Sequence, residues 1–303
     1  MMTSHKYIPL ASIISRLRRF KYYTRQSPSG LIHEILVRRV AGPLTLFLKV
    51  RSLHKYPLLT DLIFELNEPT TSFLLIVLLS CRFDVFEQYY YKYLKGVLTP
   101  ALAPQSYSII WIPRLFSIIR NVKVFMPILR VGVHDTSRLA REILRQSRSV
   151  NEVVTIGPDL VINNMQTTSP SRVNNTVFKE GLTGRDIIFY IQPHFPWIID
   201  RDLSITLKPY IAVHELIPGD IVGSALKRHN ISRERLFKAY SKDLILILNN
   251  VSKVIKRAIR LAPYEKVIVT AIHGELFGEF GLYFHKDLPL HYVTLVPWLE
   301  VKL

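Results

Sequence analysis

The hydrophobic positions of this chain follow two alternating rhythms. Short unbroken apolar runs are followed by longer stretches in which apolar residues return every three or four positions. An unbroken run of strand length marks a strand covered on both faces, and a 3.6-residue return marks a helix with one buried side. The run TTSFLLIVLLS, ending at Ser80, is the clearest strand. DVFEQYYYKYLKG then predicts a helix that stops at Gly96. SIIWIPRLFSIIRN predicts another around Ser108–Arg120, with Pro113 in its first turn. VKVFMPILRVGV reads as a strand broken at Pro127, and TSRLAREILRQSR as an amphipathic helix capped by Thr136. Residues 149–180 are polar and turn-rich and predict an excursion with short strands. RDIIFYIQPHFPWI begins as a buried strand and ends in a Pro-rich loop around His194. Leu236, Tyr240, Leu244, Leu248, Val251 and Ile255 recur at helical spacing in a long helix that Pro263 closes. EKVIVTAIHG is a strand running into a loop. HYVTLVPWLEV is a last strand, whose Pro297 predicts an edge or a bulge.

Strands alternating with helices predict an α/β fold, a three-layer α/β/α sandwich around a mostly parallel sheet. Such sheets bind ligands beyond the carboxyl ends of their strands. The informative loops are therefore those after Leu79, Tyr190 and Thr270. Residues 1–66 read as a basic extension packed on a domain that spans 67–303. Residues 8–24 pair a short apolar face with Arg16, Arg18, Arg19 and Lys21. That face serves either packing on the protein or peripheral contact with a membrane surface.

Charge adds a class of partner. Forty Lys and Arg against 23 Asp and Glu give a net charge of +17 over 303 residues. Such a surface attracts anionic ligands and polyanions, although no basic run is interleaved with aromatics. A single cysteine, Cys81, excludes an internal disulfide and a cysteine-based zinc cluster. With no secretory leader pattern and no apolar run of ~18 residues, the expected location is cytoplasmic, without a membrane span.

The strand-end loops carry the candidate chemistry. They read LSCRFD (79–84), QPHFP (192–196) and AIHGE (271–275), and PQSYSIIWIP opens the helix near Ser108. HELIPGD (214–220) lacks the second histidine of a zinc-protease helix. In order and content the strand-end set resembles the alkaline phosphatase/sulfatase superfamily, above all its small archaeal sulfatase-like proteins. The resemblance spans roughly residues 70–303. It sets the family's Asp-x-Cys-Arg-Tyr-Asp on Leu79, Ser80, Cys81, Arg82, Phe83 and Asp84. The nucleophile position falls on Ser108, which reads equally well as a helix cap. The family's QPH loop falls on Gln192, Pro193 and His194. Its Asp-His-Gly-Glu signature and the tail that follows fall on Ile272, His273, Gly274 and Glu275, then Gly278, Glu279, Gly281, Leu282, Tyr283 and His285.

The resemblance implies phosphoryl or sulfuryl transfer, in which a divalent metal stabilises charge on the peripheral oxygens. Two central ligands in such a site are aspartates, and here those positions are Leu79 and Ile272, which offer no lone pair. The leading expectation is a degenerate, non-catalytic member with no metal or other cofactor. Ser108 would then be a vestigial nucleophile position, and Arg82, His194, His273 and His285 would hold an anionic ligand. The first alternative is an active ester hydrolase with a rebuilt zinc, calcium or magnesium shell drawn from His194, His273, His285 and Glu275. It requires at least three of those side chains to converge. The second alternative is a basic protein that binds nucleic acid or a membrane surface.

Overall fold

The computed structural model describes residues 56–68, 70–104, 112, 115–131, 134–135, 150–211, 221–285 and 290–303. Its central strand is β1 (Phe73–Leu79), all seven residues of which are buried. β1 lies parallel between β9 (Arg185–Pro193) and β10 (Lys266–Ala271). Burial on both faces explains why these strands read as continuous apolar runs rather than alternating ones. Beyond β9 come β3 (Val122–Pro127) and β6 (Val150–Ile156), both parallel. On the other side β11 (Leu295–Val301) runs antiparallel to β10, and β2 (Gly96–Leu102) closes the edge. The result is a mostly parallel seven-stranded sheet in the order β2-β11-β10-β1-β9-β3-β6. A small antiparallel sheet joins β4 (Arg130–Val131), β5 (His134–Asp135), β7 (Leu160–Ile162) and β8 (Met165–Thr167).

Helices flank the sheet: α1 (Leu59–Phe64), α2 (Phe83–Tyr89), α3 (Pro170–Glu180), α4 (Arg201–Ile211), α5 (Ile221–Arg228), α6 (Arg233–Leu261) and α7 (His291–Thr294). α6 is the long predicted helix. Ser232 caps its start by accepting the Arg235 N–H, and the six periodic apolar residues all lie on its buried side. None of the described helices is long and apolar enough to cross a membrane.

Several local expectations change. α2 stops at Tyr89, a short 3-10 turn follows, and Gly96 begins a strand instead of ending a helix. A Cβ at Gly96 would lie 2.1 Å from the Glu300 carbonyl oxygen, so strand approach is what requires glycine there. Pro297 stands in an interior strand, opposite Pro100 of β2, where neither residue offers the other an N–H. The turn-rich stretch 149–180 contains α3, capped by Ser169 with Pro170 in its first turn. Of the helix predicted around Ser108–Arg120, Ile112 and residues 115–118 are described and helical. Ser108, the helix expected from Thr136, the segment 8–24 and HELIPGD lie outside the described residues.

Candidate functional site

The carboxyl ends of β1, β9 and β10 meet three loops. β1 ends at Leu79, and the chain turns through Ser80, whose φ of 56° is left-handed. Only a few residues other than glycine accept that conformation, so tertiary contacts must hold it. The holding group is the buried Tyr240 of α6. Its hydroxyl donates to the Ser80 carbonyl at 2.8 Å and accepts the Arg82 N–H at 2.8 Å. One phenol thus fixes the end of β1 and the start of α2.

The loop after β10 is shaped by a short antiparallel ladder. Leu276 and Phe284 exchange both backbone hydrogen bonds, and Phe277 bridges Tyr283. Glu275 and His285 flank that rung, which brings together two residues ten positions apart in sequence. Gly274 sits beneath the Tyr292 backbone, where a Cβ would lie 2.1 Å from the carbonyl oxygen. The loop after β9 carries His194. Phe195 packs edge-on against Trp197 and Phe284, and Trp197 stacks on Phe284 with centroids 6.0 Å apart. That aromatic cluster joins the His194 loop to the His285 loop.

These three loops bring four of the five possible ligands and anion contacts together. His194, Glu275 and His285 each present a ligand atom, all within 4.8 Å of one another. Glu275 Oε1 is 3.4 Å from His285 Nδ1 and 3.9 Å from His194 Nε2. The His273 and His285 rings are 4.6 Å apart, and His273 Nδ1 lies 3.0 Å from the Gly274 carbonyl and 3.3 Å from Ser80 Oγ. A carbonyl only accepts, so the Nδ1–H of His194, bonded to the Phe195 carbonyl, leaves the lone pair on Nε2. The same reasoning puts the lone pair of neutral His273 on Nε2.

Glu275 is fully buried, and its Oε2 has no hydrogen-bond partner among the described residues. A buried carboxylate is costly unless a positive charge or donors compensate it. Arg82 does not supply that charge. Its guanidinium is bidentate to Asp84 at 2.6 and 2.9 Å, bonds Glu279 at 2.8 Å, and lies 4.4 Å from the Tyr292 ring centre. It reaches only the backbone oxygen of Glu275. Burial alone would lower the Arg82 pKa, but Asp84 and Glu279 outweigh it and raise it. Glu279 is the reciprocal case: burial would raise its pKa, and the bond and charge of Arg82 hold it below the usual carboxylate range.

Zinc holds imidazole and carboxylate donors at ~2.0–2.2 Å, so two donors on one ion are at most ~4.4 Å apart. Both Glu275 separations fall inside that limit. The three donors as a set lie within 4.8 Å, slightly wider than that limit, and their nitrogen-rich chemistry with a buried carboxylate oxygen that has no partner among the described residues suits a zinc-class ion better than calcium, which takes six or more oxygens. Leu79 and Ile272, the positions that the resemblance sets on aspartates, belong to the hydrophobic core and are 5% and 0% exposed.

Two residues that shape the site escape the motif reading. Tyr240 holds the Ser80 turn, and Asp243, one turn further along α6, accepts the N–H groups of Ile198 and Ile199 at 2.9 and 3.1 Å. Burial pushes the Asp243 carboxyl up to about 7 against the pull of those two bonds. The available signal was an acid inside the apolar stripe of a long helix.

No family model and no curated protein matches the chain. Solved structures do resemble it. The C-terminal periplasmic domain of EcEptC from Escherichia coli in complex with Zn shares 12% identity at a TM-score of 0.47, covering 78% of this chain and 74% of that one. The soluble domain of lipooligosaccharide phosphoethanolamine transferase A from Neisseria meningitidis shares 11% at 0.41, covering 77% and 78%. The phosphonate monoester hydrolase SpPMH from Silicibacter pomeroyi shares 11% at 0.37, covering 76% and 68%.

Proposed function

We propose that the chain binds a divalent ion of the zinc class between His194, Glu275 and His285 and acts on phosphoric or sulfuric esters. The observation that carries this reading is Glu275, fully buried, with two imidazoles at Oε1 and no partner for Oε2. When bound, such an ion supplies charge to the ester oxygens and lowers the pKa of a coordinated hydroxyl. The chain's own residues do the positioning. The Phe195 carbonyl fixes the His194 ring so that Nε2 faces the carboxylate. The Leu276–Phe284 rung sets Glu275 against His285, and His273 stands behind His285 with its Nδ1 on the Gly274 carbonyl and near Ser80 Oγ. Ser108 is the proposed nucleophile, by its place in the family pattern.

A second reading is favoured by Leu79 and Ile272. Both are packed into the core where the family has acids, which suits a non-catalytic protein that keeps the frame and takes an anionic ligand. One experiment separates the two. Purified protein is equilibrated with zinc, and bound metal is counted. Turnover is then followed on an aryl phosphate, an aryl phosphodiester and an aryl sulfate. The first reading expects stoichiometric zinc that Glu275→Gln and His194→Ala release, and turnover that those variants and Ser108→Ala abolish. Zinc without turnover leaves the silent frame. Failure of Glu275→Gln to weaken zinc binding overturns the proposed metal site.

A further inference from the structure

The second half of α6 carries one sign of charge on its outer face. From Leu244 to Leu261 the helix holds no acidic residue. Lys253, Lys256, Arg257 and Arg260 are all exposed there, three or four positions apart, so they form one stripe about 10 Å long. Among the described residues the ion pairs of α6 lie at its other end, Arg233 with Glu279 and Arg235 with Asp200. The neighbouring α3 adds no net charge beside the stripe, because its Glu180 lies 3.8 Å from Lys179. Phe178 of α3 does hold one of the four, with its ring centre 4.1 Å from the Arg257 guanidinium.

An ordinary solvated helix face sets Glu or Asp near Lys or Arg at these spacings. Here Lys253–Lys256, Lys253–Arg257, Lys256–Arg260 and Arg257–Arg260 are all like-charge neighbours, which destabilise a helix instead of supporting it. The helix dipole offsets this in the last turn, at Arg260, and does not reach Lys253 or Lys256. The free chain thus carries a repulsion that an extended anionic surface relieves. Two apolar residues indicate which surface. Ile259 and Leu261 flank Arg260 and are 39% and 61% exposed. Apolar side chains beside cations suit a bilayer, where they sink below the headgroups while the ammonium and guanidinium groups stay level with the phosphates. A single-stranded nucleic acid would call for stacking aromatics, and residues 244–261 include none.

We propose that this face of α6 docks on an anionic lipid surface. Lys253, Lys256, Arg257 and Arg260 meet the headgroup phosphates, and Ile259 and Leu261 enter the boundary with the acyl chains. The net charge of +17 draws the chain to such a surface over long range. The stripe lies on the half of α6 that leads into the first residue of β10, whereas the His194–Glu275–His285 cluster lies beyond the carboxyl ends of the strands. Docking therefore leaves that end of the sheet uncovered, and the proposal does not depend on the metal reading.

Co-sedimentation of the full chain with phosphatidylcholine vesicles, with and without phosphatidylglycerol, is the test. Binding is expected only where phosphatidylglycerol is present, and it should fall as salt rises. The triple variant Lys253→Gln, Lys256→Gln, Arg260→Gln keeps good helix formers and spares Arg257 with its Phe178 contact. Each lost charge is expected to weaken binding roughly fivefold, so the triple variant should lose roughly 100-fold. Its thermal midpoint at low salt is expected to match or exceed the parent's, because the like-charge neighbours are gone. Ile259→Ser with Leu261→Ser is expected to weaken binding by roughly tenfold without steepening the salt dependence. Vesicle binding that persists in the triple variant overturns the proposal and moves the contact elsewhere, with residues 8–24 the next segment to test. No binding to the phosphatidylglycerol vesicles also overturns it, and a salt-sensitive oligonucleotide complex that the triple variant loses would then assign the stripe to nucleic acid.

Discussion

Two buried oxygens decide how the site holds its shape. Tyr240 Oη is donor to the Ser80 carbonyl and acceptor for the Arg82 N–H, both at the end of β1. Tyr240→Phe keeps the ring and leaves a buried carbonyl and a buried N–H without that partner. Such orphans cost ~1–3 kcal/mol each. We expect a loss of roughly 2–4 kcal/mol in urea unfolding, and a loss below roughly 0.5 kcal/mol would show that the turn is held by something else. Glu275 is the second case, with the opposite logic. Its Oε2 has no hydrogen-bond partner among the described residues, so Glu275→Gln is expected to leave the metal-free protein as stable as the parent, or more stable. A clear loss of apo stability would mean that the carboxylate already has compensating partners in the folded chain and does not wait for an ion. Ile272 shows how one position can be read in both ways. By the resemblance it stands at a ligand position, and in the fold it is a fully buried core side chain.

At the scale of elements, α6 acts as a beam beneath both loops, with Tyr240 under the β1 turn and Asp243 under residues 198–199. Asp243 makes the stability of that contact depend on pH. Its carboxyl sits at about 7 in the fold, above an ordinary value near 3.8. Between those two values the folded chain keeps a proton that the unfolded chain has released. Stability contributed here is therefore full below the lower value, falls as pH rises through the window, and levels off above the upper one. The whole window is worth on the order of 4 kcal/mol. The parent minus Asp243→Asn difference in unfolding free energy should drop from pH 5 to pH 8, and a flat difference would remove Asp243 as the cause. The sequence shows some of these elements and hides others for physical reasons. The buried strands and α6 stand out because burial on one or both faces imposes a period. β2 is obscured by Pro100, which its antiparallel partner tolerates by placing Pro297 opposite. α3 lies in a polar stretch where Val173 and Val177, with Asn174 between them, are its buried face, too few apolar residues to stand out although the Ser169-Pro170 start and Gly181 end were present. The motif order picked out His194, Glu275 and His285, but the convergence of Glu275 with His285 depends on the Leu276–Phe284 rung, which no spacing rule reveals.

At the scale of the molecule, the proposed metal donors come from loops after β9 and β10, the two strands that flank β1. An ion shared by His194, Glu275 and His285 would therefore add a second tie between two loops that the Phe195–Trp197–Phe284 cluster already joins, and only the folded chain assembles the three donors. Binding confined to the folded state raises stability by mass action, by ~2.7 kcal/mol when free ligand is 100-fold above Kd. For a chain of this size each kcal/mol moves the midpoint by roughly 2–4 °C or somewhat less. Zinc in that excess is thus expected to raise Tm by about 5 °C, with magnesium far less effective because it prefers octahedral oxygen ligands. The control that gives the shift its meaning is Glu275→Gln. Histidines elsewhere on the surface bind zinc too, and their effect would persist in that variant. A rise that vanishes with Glu275→Gln places the ion across the two crossovers. A rise of equal size in the variant shows that the fold gains nothing from this cluster, and the three side chains are then a structural contact between loops.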